Sequence, residues 1–348
     1  MDNDQLYDVT IIGGGPAGLF SAFYSGLREM KTKIIEYQPQ LGGKVHVYPE
    51  KIIWDVGGLT PTPGAKLIEQ LVRQGLTFEP EVVLGEKVTA IRKTAVDQFE
   101  VHTASGHIHY SRTVIVAVGS GILNPQRIDI EGAQRFEVTN LHYTVKTLRQ
   151  FKDKTIIISG GGNTAVDWAN ELEPIARKIY LIYRKDELKG HEAQVTQLKN
   201  SSVELILNAQ ISKFIAETNH DRIEKVELTC TDTGEVVYLP VDEVIINHGY
   251  ELDSSLLKNS SLNIEMKDDF YVAGNSNSQS SVPGLYAAGD ILHHEAKVHL
   301  IAGAFQDAAN AVNQAKLYIQ PNATKTVMVS SHNDLFKERN REIVKQLM

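Results

Sequence analysis

Two stretches of this chain, residues 9–119 and 155–249, run through the same series of elements. The first opens with an apolar strand at 9–12, a glycine turn, a small-residue helix at 17–27 and a strand at 32–35. Short strand-like runs follow at 87–92, 99–103 and 107–110, with Ala104-Ser105-Gly106 as a turn, and the copy closes with 113–118 and Gly119. The second copy has a strand at 155–159, its own glycine turn, a helix at 164–172 and a strand at 178–183. Its runs lie at 211–217, 223–229 and 236–239, and it closes with 243–247 and Gly249. Chance similarity is the plain alternative, and the matched order of elements argues against it. The repeat predicts an α/β chain of two Rossmann-like three-layer dinucleotide-binding domains, each a parallel sheet with a small antiparallel β-meander. The apolar segment at 285–290, a small-residue helix at 300–318 and a charged tail at 324–348 have no counterpart between the copies and are expected to complete the first domain. The expected partition is therefore 1–115 with 285–348, and 116–284, with 324–348 as a C-terminal extension.

Both glycine turns carry the spacing that receives a pyrophosphate. In Gly13-Gly14-Gly15-Pro16-Ala17-Gly18 the first glycine permits the tight turn, Gly15 lets the backbone approach the phosphates, and Gly18 lets helix and strand pack closely. The helix that follows offers unpaired N–H groups and the positive end of its dipole. Glu36 stands eighteen residues after Gly18, where a carboxylate can hold adenosine ribose hydroxyls. A merely structural glycine turn is the competing reading, which the flanking strand, helix and Glu36 weigh against. Gly160-Gly161-Gly162-Asn163-Thr164-Ala165 repeats the pattern, but Arg184 and Lys185 stand nineteen and twenty residues after Ala165 in place of the acid. Cations there suit a 2′-phosphate, which a carboxylate would repel, so the second site favours NADPH over NADH. A solvated basic strand end, or pairing of Arg184 with Asp186, is the alternative. Gly289-Asp290 ends an apolar strand; Asp290 either caps the following turn or meets a ligand.

Net charge −8 argues against a nucleic-acid binder. No run approaches a membrane-spanning length, and the acidic start lacks the basic and apolar regions of a signal peptide, so a cytoplasmic location is expected. His293, His294 and His299 have no compact Cys/His/Asp company, so no metal site is expected. Neither a Gly-x-Ser-x-Gly elbow nor a P-loop is present. Cys230 is the single cysteine, which precludes an internal disulfide.

With Leu41-Gly42-Gly43, Tyr48-Pro49-Glu50-Lys51, Asn140-Leu141-His142-Tyr143, Ala165-Val166-Asp167-Trp168, Ala287-Ala288-Gly289-Asp290 and Lys297-Val298-His299-Leu300-Ile301-Ala302, the whole chain resembles the thioredoxin reductase type of flavoprotein. It looks most like the ferredoxin–NADP reductases built on that scaffold, including the extension at 330–336. Thioredoxin reductases carry a Cys-x-x-Cys pair absent here, and bacillithiol disulfide reductase-like relatives carry a cysteine where Ala17 stands. The resemblance implies FAD on Gly13, Gly15, Pro16, Ala17, Gly18, Glu36, Lys44, Tyr48, Val88, Leu123, Asp290 and Ser331. Tyr48 would stack on one flavin face, and His332, from the tail of a partner subunit in a homodimer, would lie near the other. Lys44 replaces the usual Gln, and as a cation it would raise the flavin potential. NADPH would bind Gly160, Gly162, Asn163, Thr164, Ala165, Arg184 and Lys185. The implied activity is hydride transfer from NADPH to flavin N5, then single-electron steps to ferredoxin or flavodoxin, with no obligatory catalytic side chain. Segments 110–120 and 245–285 would serve as hinges between domains. A reductase of a small quinone or disulfide, or a low-turnover redox-responsive binding protein, are the alternatives.

Overall fold

The strands Tyr7–Ile12, Thr32–Glu36 and Thr155–Ser159 have apolar centres and are almost wholly buried on both faces, the signature of parallel strands covered by a layer on each side. The computed structural model describes residues 6–95, 97–121, 124–218, 221–327, 330 and 333–347. The chain divides into two units, one formed by Met1–His46, Lys51–Ile122 and Leu252–Met348, the other by Val47–Glu50 and Leu123–Glu251.

In the first unit the parallel strands run in the order Glu81–Leu84, Thr32–Glu36, Tyr7–Ile12, Ile108–Val116, with Leu285–Ala287 on the far side of Ile108–Val116. One face of this sheet (Val9, Ile11, Ile34, Ile115) packs on Leu19 and Ala22 of helix Pro16–Leu27 and on Ala304, Ala308 and Ala311 of helix Ile301–Ile319. Alanine along both helices lets them lie close to each other and to the sheet. The other face (Ile12, Ile35, Val114, Val116) is covered by Ile91, Phe99 and Val101 of the meander strands Val88–Ala95 and Gln98–Thr103.

Two expectations change here. The runs expected separately at 107–110 and 113–118 are one strand, Ile108–Val116, which pairs antiparallel with Gln98–Thr103 in its first half and parallel with Tyr7–Ile12 in its second. Buried hydroxyls carry it across the transition: Ser111 Oγ donates to the Thr113 carbonyl at 2.7 Å, and Thr113 Oγ1 to the Asp8 carbonyl at 2.6 Å. Residues 116–122 and 252–284, placed by sequence with the second domain, group with the first unit. Leu256, Leu257, Phe270 and Val272 join the core around Val114, Val116 and Leu285, burial that no local pattern announces.

Asp253 fastens the returning chain. Its carboxylate pairs with Lys87 Nζ at 2.8 Å and accepts the Ser255 N–H at 2.9 Å. Burial works against the charge, but Lys87 and Ser255 outweigh it and hold the carboxyl at about 2. A depressed carboxylate stabilises the fold above its unfolded value, and that contribution is lost as pH falls through the folded one. Asp253→Asn should cost about 1–2 kcal/mol at neutral pH, with the difference from the parent shrinking from about pH 4 to pH 2, as read by calorimetric melting.

The second unit repeats the plan. Its parallel strands run Glu204–Leu207, Lys178–Tyr183, Thr155–Ser159, Glu243–Ile246 and Leu141–His142. Ile156, Ile158 and Leu181 meet Ala165, Val166 and Ala169 of helix Asn163–Leu172. Ile157, Ile182 and Val244 face Phe214, Val226 and Leu228 of a separate three-stranded meander, Ala209–Ala216, Ile223–Cys230 and Val236–Pro240. Among the described residues no helix is long and apolar enough to cross a membrane.

Candidate dinucleotide sites

In the first unit, strand Tyr7–Ile12 ends at Gly13, whose φ of +109° few side chains tolerate and whose added Cβ would lie 2.4 Å from the Ala117 carbonyl oxygen. A Cβ on Gly18 would lie 1.9 Å from the Gly13 carbonyl oxygen, so helix and turn touch there. Glu36, 7% exposed, closes the turn from the neighbouring strand. One of its oxygens accepts the Gly14 N–H at 2.6 Å and the other the Gln38 N–H at 2.7 Å. Each carboxylate oxygen has a second lone pair for a hydroxyl donor. The Gly42 N–H donates to the Gly14 carbonyl at 2.8 Å, and a Cβ on Gly43 would come 2.7 Å from Gly15 Cα. The two glycine loops therefore lie against each other.

The second unit builds the same turn. Gly13 N–H donates to Ile35 O at 2.8 Å, and Gly160 N–H to Ile182 O at 2.9 Å. Strand pairing aligns Ile12 with Ile35 and Ser159 with Ile182. Glu36 thus corresponds to Tyr183, and Arg184 lies one residue beyond. The Tyr183 ring fills the place opposite the turn, so a Cβ on Gly161 would stand 2.3 Å from it. A Cβ on Gly162 would meet nothing within 4 Å, which leaves the mouth of this turn open. Asn163 Oδ1 accepts the His191 N–H at 2.8 Å, and Ala165 is fully buried against the sheet, so these two shape the turn. Thr164 is exposed at the start of the helix.

Helices Pro16–Leu27 and Asn163–Leu172 begin with glycine at the N-cap, Gly15 and Gly162, and neither has a side-chain cap. Their first N–H groups are left for an anion, so both turns fit a pyrophosphate. Arg184 and Lys185 are exposed and have no carboxylate partner among the described residues, Asp186 included. Sequence reasoning missed two neighbours. Lys189 bridges to Gly162, and its N–H donates to the Gly161 carbonyl at 2.7 Å, which adds a third cation to this rim. His248 Nε2 lies 2.9 Å from Ser159 Oγ, and desolvation together with the Arg184 guanidinium pushes its pKa below the ordinary histidine value.

Asp290 sits in the turn Gly289–Ile291 after strand Leu285–Ala287, and its carboxylate caps no N–H among the described residues, unlike the capping alternative. Gly289, at φ +77°, brings this turn against Ala17, where an added Cβ would lie 3.0 Å from Ala17 Cβ. Val88 is buried in the meander core, so its side chain is closed to a ligand. Lys44 is exposed on the short helical turn Gly43–Val47. Tyr48, expected on a flavin face, groups with the second unit, where it packs on the cluster containing Val145, Phe151 and Trp168. Leu123, Ser331 and His332 lie outside the described residues. His293 and His299 are exposed, and no group of three or more His, Cys, Asp or Glu able to hold a metal is found among the described residues.

Residues 7–315 match the family described as pyridine nucleotide-disulphide oxidoreductase. The chain is 70% identical over 347 residues to "Ferredoxin--NADP reductase 1" of Bacillus licheniformis, covering 100% of this chain and 99% of that protein. It is 68% identical to the Bacillus mycoides protein of the same name, with 100% of each covered. Among solved structures it is similar to the thioredoxin reductase of T. acidophilum, with TM-score 0.77 and 23% identity over 92% of this chain and 100% of that one. It also resembles the bacillithiol disulfide reductase of Staphylococcus aureus, with TM-score 0.69 and 19% identity over 91% of this chain and 99% of that one. Both likenesses concern the fold, and they match the twin-turn plan described above. The chain therefore belongs to the pyridine nucleotide-disulphide oxidoreductase family and, within it, to the ferredoxin–NADP reductases built on the thioredoxin reductase scaffold.

Proposed function

We propose that this protein is a flavoprotein oxidoreductase that carries electrons between NADPH and ferredoxin through FAD. The observation behind this reading is the contrast between two matched turns. One faces a buried carboxylate, Glu36; the other faces Tyr183 with the cations Arg184, Lys185 and Lys189 around it. FAD takes two electrons together and releases them singly, so the cofactor supplies the chemistry. The chain's residues bind and orient. The first N–H groups of helix Pro16–Leu27 hold the FAD pyrophosphate, Glu36 accepts adenosine ribose hydroxyls, and Asp290 meets the ribityl chain. Lys44 and the main chain of Val88 are assigned as further contacts. Asn163, Thr164 and Gly162 receive the NADPH pyrophosphate, while Arg184 and its neighbouring lysines hold the 2′-phosphate. The discontinuous first unit is the FAD domain, the second is the NADPH domain, and the tail 324–348 is assigned to the flavin site. Flavodoxin as a second acceptor, a homodimer and a cytoplasmic location complete the proposal.

NADPH-dependent reduction of a small ferredoxin, followed through cytochrome c with NADH and thioredoxin as controls, tests this reading. Ferredoxin-dependent turnover with NADPH preferred supports it. Fast flavin reduction without ferredoxin turnover would reject ferredoxin as acceptor and leave a reductase of a small quinone or disulfide.

A further inference from the structure

In the first unit, helix Ile301–Ile319 carries a carboxylate, Asp307, into the core at 5% exposure. Lys297, its side chain 3% exposed, forms an ion pair with it. Both partners also grip one residue: Asp307 Oδ2 accepts the Gly289 N–H at 3.1 Å, and Lys297 Nζ donates to the Gly289 carbonyl at 2.8 Å. The Asp307 main chain is pinned as well, since its carbonyl accepts Ser278 Oγ at 2.9 Å. His294 Nε2 stands 3.8 Å from the other Asp307 oxygen, beyond hydrogen-bond range. The charges of this buried cluster therefore converge on the peptide groups flanking Gly289, one residue before Asp290 and in contact with Ala17.

We propose that Lys297 and Asp307 are positioning residues for the bound flavin: by holding both polar main-chain groups of Gly289, they set where the Asp290 carboxylate stands relative to the first glycine turn. The proposal rests on the reading that FAD occupies that turn. A buried ion pair is poor evidence of added stability, because well-packed apolar residues of the same volume serve as well or better. An apolar pair would nonetheless leave the Gly289 N–H without its acceptor and its carbonyl held only by the Leu292 N–H. At φ +77° the glycine has more backbone freedom than any other residue, so an ungripped turn samples more orientations and binds its ligand more weakly.

The test separates stability from flavin binding. In the double variant Lys297→Met/Asp307→Leu, the apoprotein should melt within about 5 °C of the parent. Its dissociation constant for FAD, titrated by flavin fluorescence, should rise about tenfold or more. Lys297→Arg, which keeps charge and reach, should recover most of the affinity. If the double variant does not fold, Lys297→Met/Asp307→Asn keeps an acceptor for the Gly289 N–H but removes the Lys297 donor from its carbonyl, and about threefold weaker binding is expected. Parent-like FAD affinity in whichever double variant folds overturns the proposal. Failure of the parent itself to bind FAD would overturn the flavin reading, and that result is visible without any variant.

Discussion

Replacing Glu36 with alanine should strip the protein of its flavin: the FAD dissociation constant rises about 100-fold or more, and the purified variant shows little visible flavin absorbance. Two effects add. The buried Gly14 N–H loses its acceptor at a cost of about 1–3 kcal/mol, the partly buried Gln38 N–H loses its own, and the ribose loses its charged partner. Glu36→Gln keeps one carbonyl acceptor and should lose about tenfold. NADP⁺ binding, read by calorimetry, should stay at the parent's value in both variants, because the second glycine turn belongs to a separate unit. Loss of NADP⁺ binding along with FAD would mean that the variant had unfolded. Flavin retention at parent affinity would remove Glu36 from the site.

Arg184→Ala should raise the KM for NADPH about 10- to 100-fold while leaving kcat and the KM for NADH nearly unchanged. A guanidinium–phosphate contact is charge-assisted, worth about 1.5–3 kcal/mol, and the NADH molecule has no 2′-phosphate to lose it. Lys185 and Lys189 remain on the same rim, which sets the upper end of the expected loss. Because these cations are exposed, added salt should weaken NADPH binding in the parent more than in the variant. An unchanged preference for NADPH over NADH in the variant would assign the 2′-phosphate to other residues.

Both effects arise from side chains at the ends of equivalent strands, and those positions were legible in the sequence. Glu36 and Arg184 were found by counting from the glycine turns, and the aligned register places them one residue apart in equivalent strands. The counting did not reveal that Tyr183 fills the place of Glu36 beside Gly161, because ring packing against a backbone leaves no mark in spacing. Lys189 was also missed, since it reaches the second turn through a bridge to Gly162 after an irregular excursion of the chain. Asp290 was visible as a candidate, but only its lack of a capped N–H sets it apart from a helix cap.

The sequence by itself determined the paired strand–turn–helix plan, because the requirements are local: a positive φ at Gly13, no room for a Cβ at Gly18, and runs apolar enough to be buried on both faces. It also determined the difference in charge between the two turns. Only the tertiary structure decided that residues 252–284 return to the first unit, that 108–116 is one strand serving both sheet and meander, and that Lys297 and Asp307 meet at Gly289. The physical reason is the same in each case. These features depend on burial and hydrogen bonds between residues far apart in the chain, and such contacts impose no period or spacing on the sequence around them.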